Sequence, residues 1–340
     1  MSASIRDVAQ RAGVSISTAS RALNDKPDVN KNVRARILAA AKELNYAVNM
    51  HARVLGGGRS RTLGLIIANS ADPFFAALAR GVSDAATGDG YSLIVWNTDE
   101  ATDRELRAHQ MLRERRVDGA LLASVQSGEA PLRRLSEEGI PFVLLNRHLD
   151  RFPANCVQLD YRTGARDATA HLIALGHRRI AHLTHSDDRY SVRERLAGYR
   201  GALRGARVPF VPEMVIRCAR GIAGAYRAVL ETLPRLRPRP TALFSYNDLW
   251  CVGVLKALHE LGWRVPEDIS LMGCDDLELS AFLVPPLSTV FQDPYAIGSR
   301  GVELLVEQLC APSDQPWAPR RIVLQPELRV RASTAPPRKP

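Results

Sequence analysis

At 340 residues, with 46% hydrophobic and 24% charged positions, the chain is long enough to bury a sizeable core in two or more domains and reads as an ordinary globular protein. Its five cysteines (Cys156, Cys218, Cys251, Cys274, Cys310) are odd in number, scattered and without a CxxC pair, which argues against a disulfide framework and a zinc site and fits a reducing compartment. The formal net charge of +10 is uneven: Met1–Arg61 carries 11 Lys and Arg against 4 Asp and Glu, a net +7, and the other 279 residues carry only +3. A small basic module on a nearly neutral body points to a polyanion as the module's partner, although RLRPRP (235–240) shows that an arginine bias also runs through the chain. The opening MSASIRDVAQRAG is charged where a secretory signal needs an apolar run, and no later stretch approaches a membrane span, so a soluble cytoplasmic protein is expected.

In chain order, Ser4 followed by Asp7 has the spacing of a capping box that opens a first helix, and Gly13 stops that helix by accepting a left-handed conformation. Ser15 can cap a second helix that ends near Asn24; a third begins after Asn30 with Val33, Ile37, Ala40, Ala41 and Leu44 on one face. Three short helices, the first two joined by a turn containing glycine, make a helix-turn-helix whose core is expected at Val8, Ala9, Ala12, Val14, Ala19 and Leu23. The second helix, within AGVSISTASRALN (12–24), has too few large apolar side chains to serve only a core and presents Ile16, Ser17, Ser20 and Arg21 outward. This motif sets such residues against base edges in the major groove: Arg21 suits guanine, Ser17 several bases and Ile16 a thymine methyl, while the hydroxyls of Ser15, Thr18 and Ser20 suit phosphate oxygens. A plain helical hairpin with a solvated serine face is the alternative, and the basic charge together with the turn spacing counts against it.

Next comes AVNMHARVLGGGRSR (47–61), with helix formers over 49–56 that are too few to persist alone in water. Its glycines with Arg59, Ser60 and Arg61 read as a flexible basic linker, and no Lys-Ser or Lys-Thr follows them as a phosphate loop requires. From Thr62 the pattern is α/β. Strand-like runs recur at LGLII (63–67), YSLIVW (91–96), GALLA (119–123), FVLL (142–145), RIAHL (179–183), ALF (242–244) and ISLMG (269–273), with helical patterns between them. That alternation predicts two doubly wound parallel-sheet subdomains covered on both faces. Ligands of such sheets sit at the carboxyl ends of strands, which singles out Asn69, Asp72, Asn97, Asn146, Arg147, Asn247, Asp248, Asp275, Asp276, Gln292 and Asp293.

With these elements in place the chain resembles the lactose-repressor (LacI/GalR) family of bacterial transcriptional regulators. IRDVAQRAGVSISTASRALN is similar to the family's DNA-reading signature, and ELNY, ARVL, DPFF, IALGHRRIAHL, RLAGY, SYND, GCDD and PPLSTVFQD follow in order over about 1 to 335. The resemblance implies a homodimer whose helix-turn-helix heads bind a palindromic double-stranded operator, with a periplasmic-binding-protein-like core that senses a sugar-like small molecule. It implies a hinge helix that drives Leu55 into the minor groove with Ala52 at the helix–helix contact, although Val48 stands where many relatives have proline. Asn24, Asn30, Tyr46, Asn49 and Arg53 complete the expected DNA-contacting set. By the same resemblance Asp72, Phe74, Phe75, Asn146, Arg147, Arg195, Asn247, Asp275 and Gln292 are the expected effector contacts, whose carboxylate and guanidinium chemistry suits hydroxyls. No aromatic of RCARGIAGAY (217–226) aligns with the one that often stacks on the ligand, so ring stacking has no support from that segment.

The domain reading is therefore a helix-turn-helix head at 1–47, a hinge helix and linker at 48–61, and an effector-binding and dimerisation core at 62–335. Within the core an N-subdomain takes about 62–161 and 293–322 and a C-subdomain about 162–292 and 323–335, with a tail at 336–340. The stretch after Arg331, ASTAPPRKP (332–340), is proline-rich and lacks the leucine heptads of a tetramer-forming helix, so a dimer is expected. No cofactor, metal or catalytic residue is expected: Asp275 and Asp276 are adjacent on an extended segment and face opposite ways, His177 has no nucleophile motif near it, and no dinucleotide fingerprint follows a strand. A sugar transport protein would need a signal peptide and no basic head. A regulator that senses a nucleobase or phosphorylated metabolite, or that binds DNA without an effector, is the alternative.

Overall fold

The computed structural model describes residues 3–23, 28–46, 59–124, 126–147, 149, 152–312 and 317–338. The chain forms two compact units, a small one of 1–62 with 115–118 and a large one of 63–114 with 119–340.

In the small unit α1 (Ile5–Ala12), α2 (Ile16–Leu23) and α3 (Lys31–Glu43) bury Val8, Ala9, Ala12, Ala19, Ala22, Ile37, Ala40 and Ala41, with Val14, Leu23, Val33, Leu44 and Tyr46 packed around them. Alanine dominates this core, so the three helices approach closely around the fully buried Ile37. The helix ends follow local chemistry. Asp7 accepts the Ser4 backbone N–H at 2.7 Å, Gly13 ends α1 at φ 64°, and the Ser15 hydroxyl caps α2 by accepting from Thr18 N at 3.1 Å. The linker expectation needs correction at its C-terminal end. Asp118 accepts from Ser60 N at 2.7 Å and Arg61 N at 3.0 Å, and Ser60 is buried, so a carboxylate fixes two residues that composition marked as flexible.

The large unit holds two parallel sheets. The first has the strand order β11-β5-β4-β3-β1-β2, built from β1 (Thr62–Ile67), β2 (Ser92–Asn97), β3 (Gly119–Leu122), β4 (Phe142–Leu145), β5 (Asn155–Leu159) and β11 (Arg321–Leu324). Second comes the order β7-β6-β8-β9, from β6 (Ile180–His185), β7 (Val215–Cys218), β8 (Ala242–Ser245) and β9 (Ser270–Met272). Helices α4 (Pro73–Gly88), α5 (Thr102–Glu114), α6 (Ala130–Glu137) and α11 (Pro294–Cys310) belong to the first lobe, and α7 (Tyr161–Ala174), α8 (Tyr190–Gly205), α9 (Gly221–Thr232) and α10 (Asp248–Glu260) to the second. Central strands are buried along their whole length, as parallel strands covered on both faces must be. A Cβ at Gly298 would lie 2.2 Å from Leu78 O and one at Gly81 2.1 Å from Tyr295 O, so only glycine allows α4 and α11 to meet this closely.

The chain passes between lobes at three places: from β5 into α7, from β10 (Thr289–Phe291) into α11, and from β11 into β12 (Glu327–Arg329). β11 pairs with β5 as far as Leu324 opposite Leu159, and β12 pairs antiparallel with β10. The last return therefore falls after Leu324, within two residues of the expected bound of about 322, where the β5 ladder ends. Sequence reading also passed over β5, β7, β10, β11 and β12. β5 reads NCVQL, polar at Asn155 and Gln158, yet Asn155 is buried because Trp317 Nε1 (3.1 Å) and Arg320 N (2.8 Å) donate to its side-chain oxygen.

Candidate functional site

Between the two sheets, at the carboxyl ends of their strands, lies a cavity of about 350 Å³, at the small end of small-molecule sites. Eight of the nine expected effector contacts line it: Asp72, Phe74, Phe75, Asn146, Arg147, Arg195, Asn247 and Asp275. Gln292 does not. It is 1% exposed, its backbone N–H donates to Asp275 O at 3.4 Å, and its amide oxygen and nitrogen have no partner among the described residues.

Helix caps shape the site. Asp72 caps α4 by accepting from Phe74 N at 3.0 Å, which fixes the Phe74–Phe75 pair at the wall, and Asn247 caps α10 by accepting from Trp250 N at 3.0 Å. Asp275 follows β9 with φ 117° and bridges Phe291, while the next carboxylate, Asp276, turns away to pair with Arg329 and with Arg331 at 2.7 Å. The two adjacent acids thus separate into one cavity residue and one structural anchor. His177 is equally structural, bonded to Thr241, Ser270 and the Ala335 carbonyl.

The centre of the wall is Arg195 on α8. Its guanidinium lies between the rings of Tyr161 (4.2 Å) and Tyr246 (4.4 Å), 3.6 Å from Asp275 Oδ1 and 3.7 Å from Cys274 Sγ. Although it is 3% exposed, its Nε and Nη1 have no acceptor among the described residues. Burial raises the Asp275 pKa well above the usual carboxylate range, with Arg195 opposing, and burial also raises that of Asp72 against the Phe74 hydrogen bond. Arg147 on the other lobe is lowered by burial first and by the nearby Arg189 charge second.

A second cluster spans the lobes at the same cavity. Glu100, just after β2, pairs with Arg189 at 2.8 Å and with Arg220, and Arg220 also reaches Asp187 at 3.3 Å. His185 accepts from Arg220 Nε at 2.8 Å, which requires a neutral ring, and burial lowers its pKa in the same direction against the Asp187 charge.

Strand-end reasoning flagged Asn69 but missed Glu100, Tyr161, His185, Arg189, Ser191, Arg220, Tyr246 and Trp250, all of which line the cavity. Tyr161 and Arg220 follow β5 and β7, two of the strands that were not recognised. Tyr246 and Trp250 sit in SYNDLW beside Asn247, where a helix cap was the stronger signal. They also alter the expectation about ring stacking: RCARGIAGAY places no aromatic in the lining, yet Tyr246 and Trp250, 5.0 Å apart, with Tyr161, Phe74 and Phe75, put aromatic side chains in the wall.

On the small unit Ile16, Ser17 and Arg21 are exposed along α2, with Ser15 and Thr18 joined at its N-terminus by a 2.8 Å hydroxyl hydrogen bond. Ser20 is half-buried, and Arg21 pairs with Asp28. Asn30 caps α3 by accepting from Asn32 N at 2.9 Å, and Tyr46 is half-buried against the helical core. Asn24, Val48, Asn49, Ala52, Arg53 and Leu55 lie outside the described residues.

A basic helix-turn-helix head joined to a two-lobed core of parallel sheets with a strand-end cleft defines a DNA-reading regulator with a periplasmic-binding-protein-like sensor. Comparison gives the same division: residues 4–49 match the bacterial regulatory proteins of the lacI family, and residues 169–334 match a periplasmic binding protein-like domain. The HTH-type transcriptional repressor PurR of Aliivibrio fischeri strain ATCC 700601 / ES114 is 35% identical over 98% of both chains. Among solved structures, the lac repressor dimer bound to operator and the anti-inducer ONPF superposes with TM-score 0.84 at 27% identity, over 98% of this chain and 100% of that one. A complex of the transcriptional regulator CelR with cellobiose superposes with TM-score 0.74 at 31% identity, over 97% of this chain and 99% of that one. The chain belongs to the lacI family of bacterial regulatory proteins.

Proposed function

We propose that the protein is a transcriptional repressor that binds a palindromic DNA operator as a homodimer and is controlled by a small polyhydroxylated effector, a sugar or sugar derivative, held in the cleft. The observation that carries this reading is Arg195, a buried cation with two donor nitrogens that have no acceptor among the described residues, at the wall of a cavity that Asp275 and Asn247 also line. Hydroxyls satisfy such a set in both directions, giving hydrogens to a carboxylate and taking them from a guanidinium. The relatives support it: one solved complex is with cellobiose and another is a repressor dimer on its operator. In this reading the protein works in the bacterial cytoplasm, α2 reads the major groove, and no residue has a catalytic role.

The cleft sits between lobes that Glu100, Arg189 and Arg220 already tie together, so an effector that prefers one lobe arrangement shifts the population of that arrangement. The test is operator affinity with and without effector for wild type, Asp275→Ala and Arg195→Ala. Both variants are expected to bind operator while losing the response, because removing the ligand's contacts removes its differential affinity for two states. A response with unchanged ligand affinity would place the effector elsewhere.

A further inference from the structure

The charges around the cavity do not balance evenly. Four arginines line it: Arg147, Arg189, Arg195 and Arg220. Arg189 and Arg220 share Glu100 and Asp187, and Arg195 faces Asp275. Asp72 is engaged by the N-terminus of α4. Arg147 is left with a single long contact, 3.4 Å from Nη1 to the carbonyl of its own neighbour Asn146, and with no carboxylate among the described residues. Glu105, whose charge acts on Arg147 weakly, is spent on Ser124 Oγ and the backbone N–H groups of Gln126 and Ser127. Two of the Arg195 donors are buried and have no acceptor among the described residues. The cavity therefore holds more guanidinium donors than acceptors and, at the half-buried Arg147, a cation with no carboxylate partner among the described residues, an arrangement that an entering anion complements.

We propose that the effector is a polyhydroxylated acid, a sugar carrying a carboxylate or a phosphate, whose anionic group is neutralised by Arg147 while its hydroxyls engage Arg195, Asp275 and Asn247. This rests on the reading of the cleft as the effector site and narrows its ligand. A planar guanidinium receives a carboxylate or phosphate through two parallel hydrogen bonds, which a neutral hydroxyl cannot match. Asn146, at φ 55° and held through its side chain by the Tyr161 hydroxyl, fixes the backbone from which Arg147 projects.

The experiment measures melting temperature and calorimetric affinity on the full chain with gluconate and glucuronate, with glucose 6-phosphate and ribose 5-phosphate, and with neutral glucose and ribose. Wild type is expected to gain about 5–10 °C from at least one acid at 100 times its dissociation constant, and much less from its neutral counterpart. Comparing the carboxylates with the phosphates identifies which anion the site takes. Arg147→Gln is expected to weaken the acid roughly 10- to 100-fold, the loss of one charged hydrogen-bonding group, while neutral-sugar affinity stays within a few-fold and Arg147→Lys recovers part of the loss. The melting temperature of unliganded Arg147→Gln, expected at or above wild type, reports that the variant folds. A neutral sugar that binds wild type as tightly as its acid overturns the proposal and leaves the cleft reading standing. Equal losses of acid and neutral binding in Arg147→Gln overturn it as well, since they make Arg147 a merely structural residue. All six compounds inert at millimolar concentration also overturn it, whereas the cleft reading falls only when a bound ligand is indifferent to Asp275→Ala.

Discussion

His182 shows how a single residue in the second lobe is tuned by its surroundings. It lies on β6 between the rings of Tyr199 (5.2 Å) and Phe244 (4.9 Å), fully buried, with Nδ1 3.1 Å from the Phe244 carbonyl and Nε2 without a partner among the described residues. A carbonyl can only accept, so Nδ1 carries a hydrogen and donates it. Burial pushes its pKa down to about 4, with the Phe244 hydrogen bond opposing. Between pH 6.5 and 4 the unfolded chain therefore binds a proton that the folded chain refuses, so this residue's contribution to stability is whole above pH 6.5 and declines as the solution is acidified. With an unfolded value near 6.5, the loss between pH 7.5 and 5 is about 2 kcal/mol. Melting curves across that range should show the decline in wild type and a shallower slope in His182→Gln. Parallel slopes would mean that the acid sensitivity arises elsewhere.

At the scale of elements, α2 and the strand ends differ in how much of them sequence could show. The head was legible because its signals are local: Ser15 three residues before Thr18, Gly13 in the left-handed region, and alanines spaced to let helices cross. Within the core, the long apolar strands were legible and the short or polar ones were not. Asn155 and Gln158 are buried in β5 only because residues more than 150 positions away satisfy Asn155 and Tyr190 meets Gln158, and no local pattern records such partners. Cavity residues following β5 and β7 were lost with those strands, whereas Asp72, Asn247 and Asp275 followed strands that periodicity does reveal. On α2 the structure adds the Arg21–Asp28 pair. Both side chains are about half exposed, so the pair is worth little and does not withhold Arg21 from DNA. Arg21→Ala is expected to cost roughly 1–3 kcal/mol on the operator and much less on random DNA, measured by titration at fixed salt. Equal losses on both would reduce Arg21 to a phosphate contact.

For the whole molecule, the loop after β9 presents Phe282 at 79% and Val284 at 89% exposure, two large apolar side chains that gain nothing from water. A palindromic operator needs a two-fold partner, and this loop is where a second copy is expected to cover apolar surface. Light scattering at micromolar concentration should give a dimer for wild type and a smaller mass for Phe282→Asp. An unchanged dimer would move the interface to another face. Asp248 braces the loop from inside, accepting from Leu277 N at 3.0 Å and Ser280 Oγ at 2.7 Å, while its neighbours Asn247 and Trp250 line the cavity. The three passages between lobes add a mechanical constraint. β11 is hydrogen-bonded to β5 in one lobe and β12 to β10 in the other, so the passage through β11 and β12 lies between its two companions, side by side like the knuckles of a piano hinge. Asp160 and Asp293 stiffen the outer two by capping the helices that follow them. Such a joint bends easily about the line that crosses all three straps, but twisting or sliding would stretch the outer ones in opposite senses. Opening and closing thus reduce to a single degree of freedom, and a ligand in the cleft sets one angle instead of loosening the lobes in every direction.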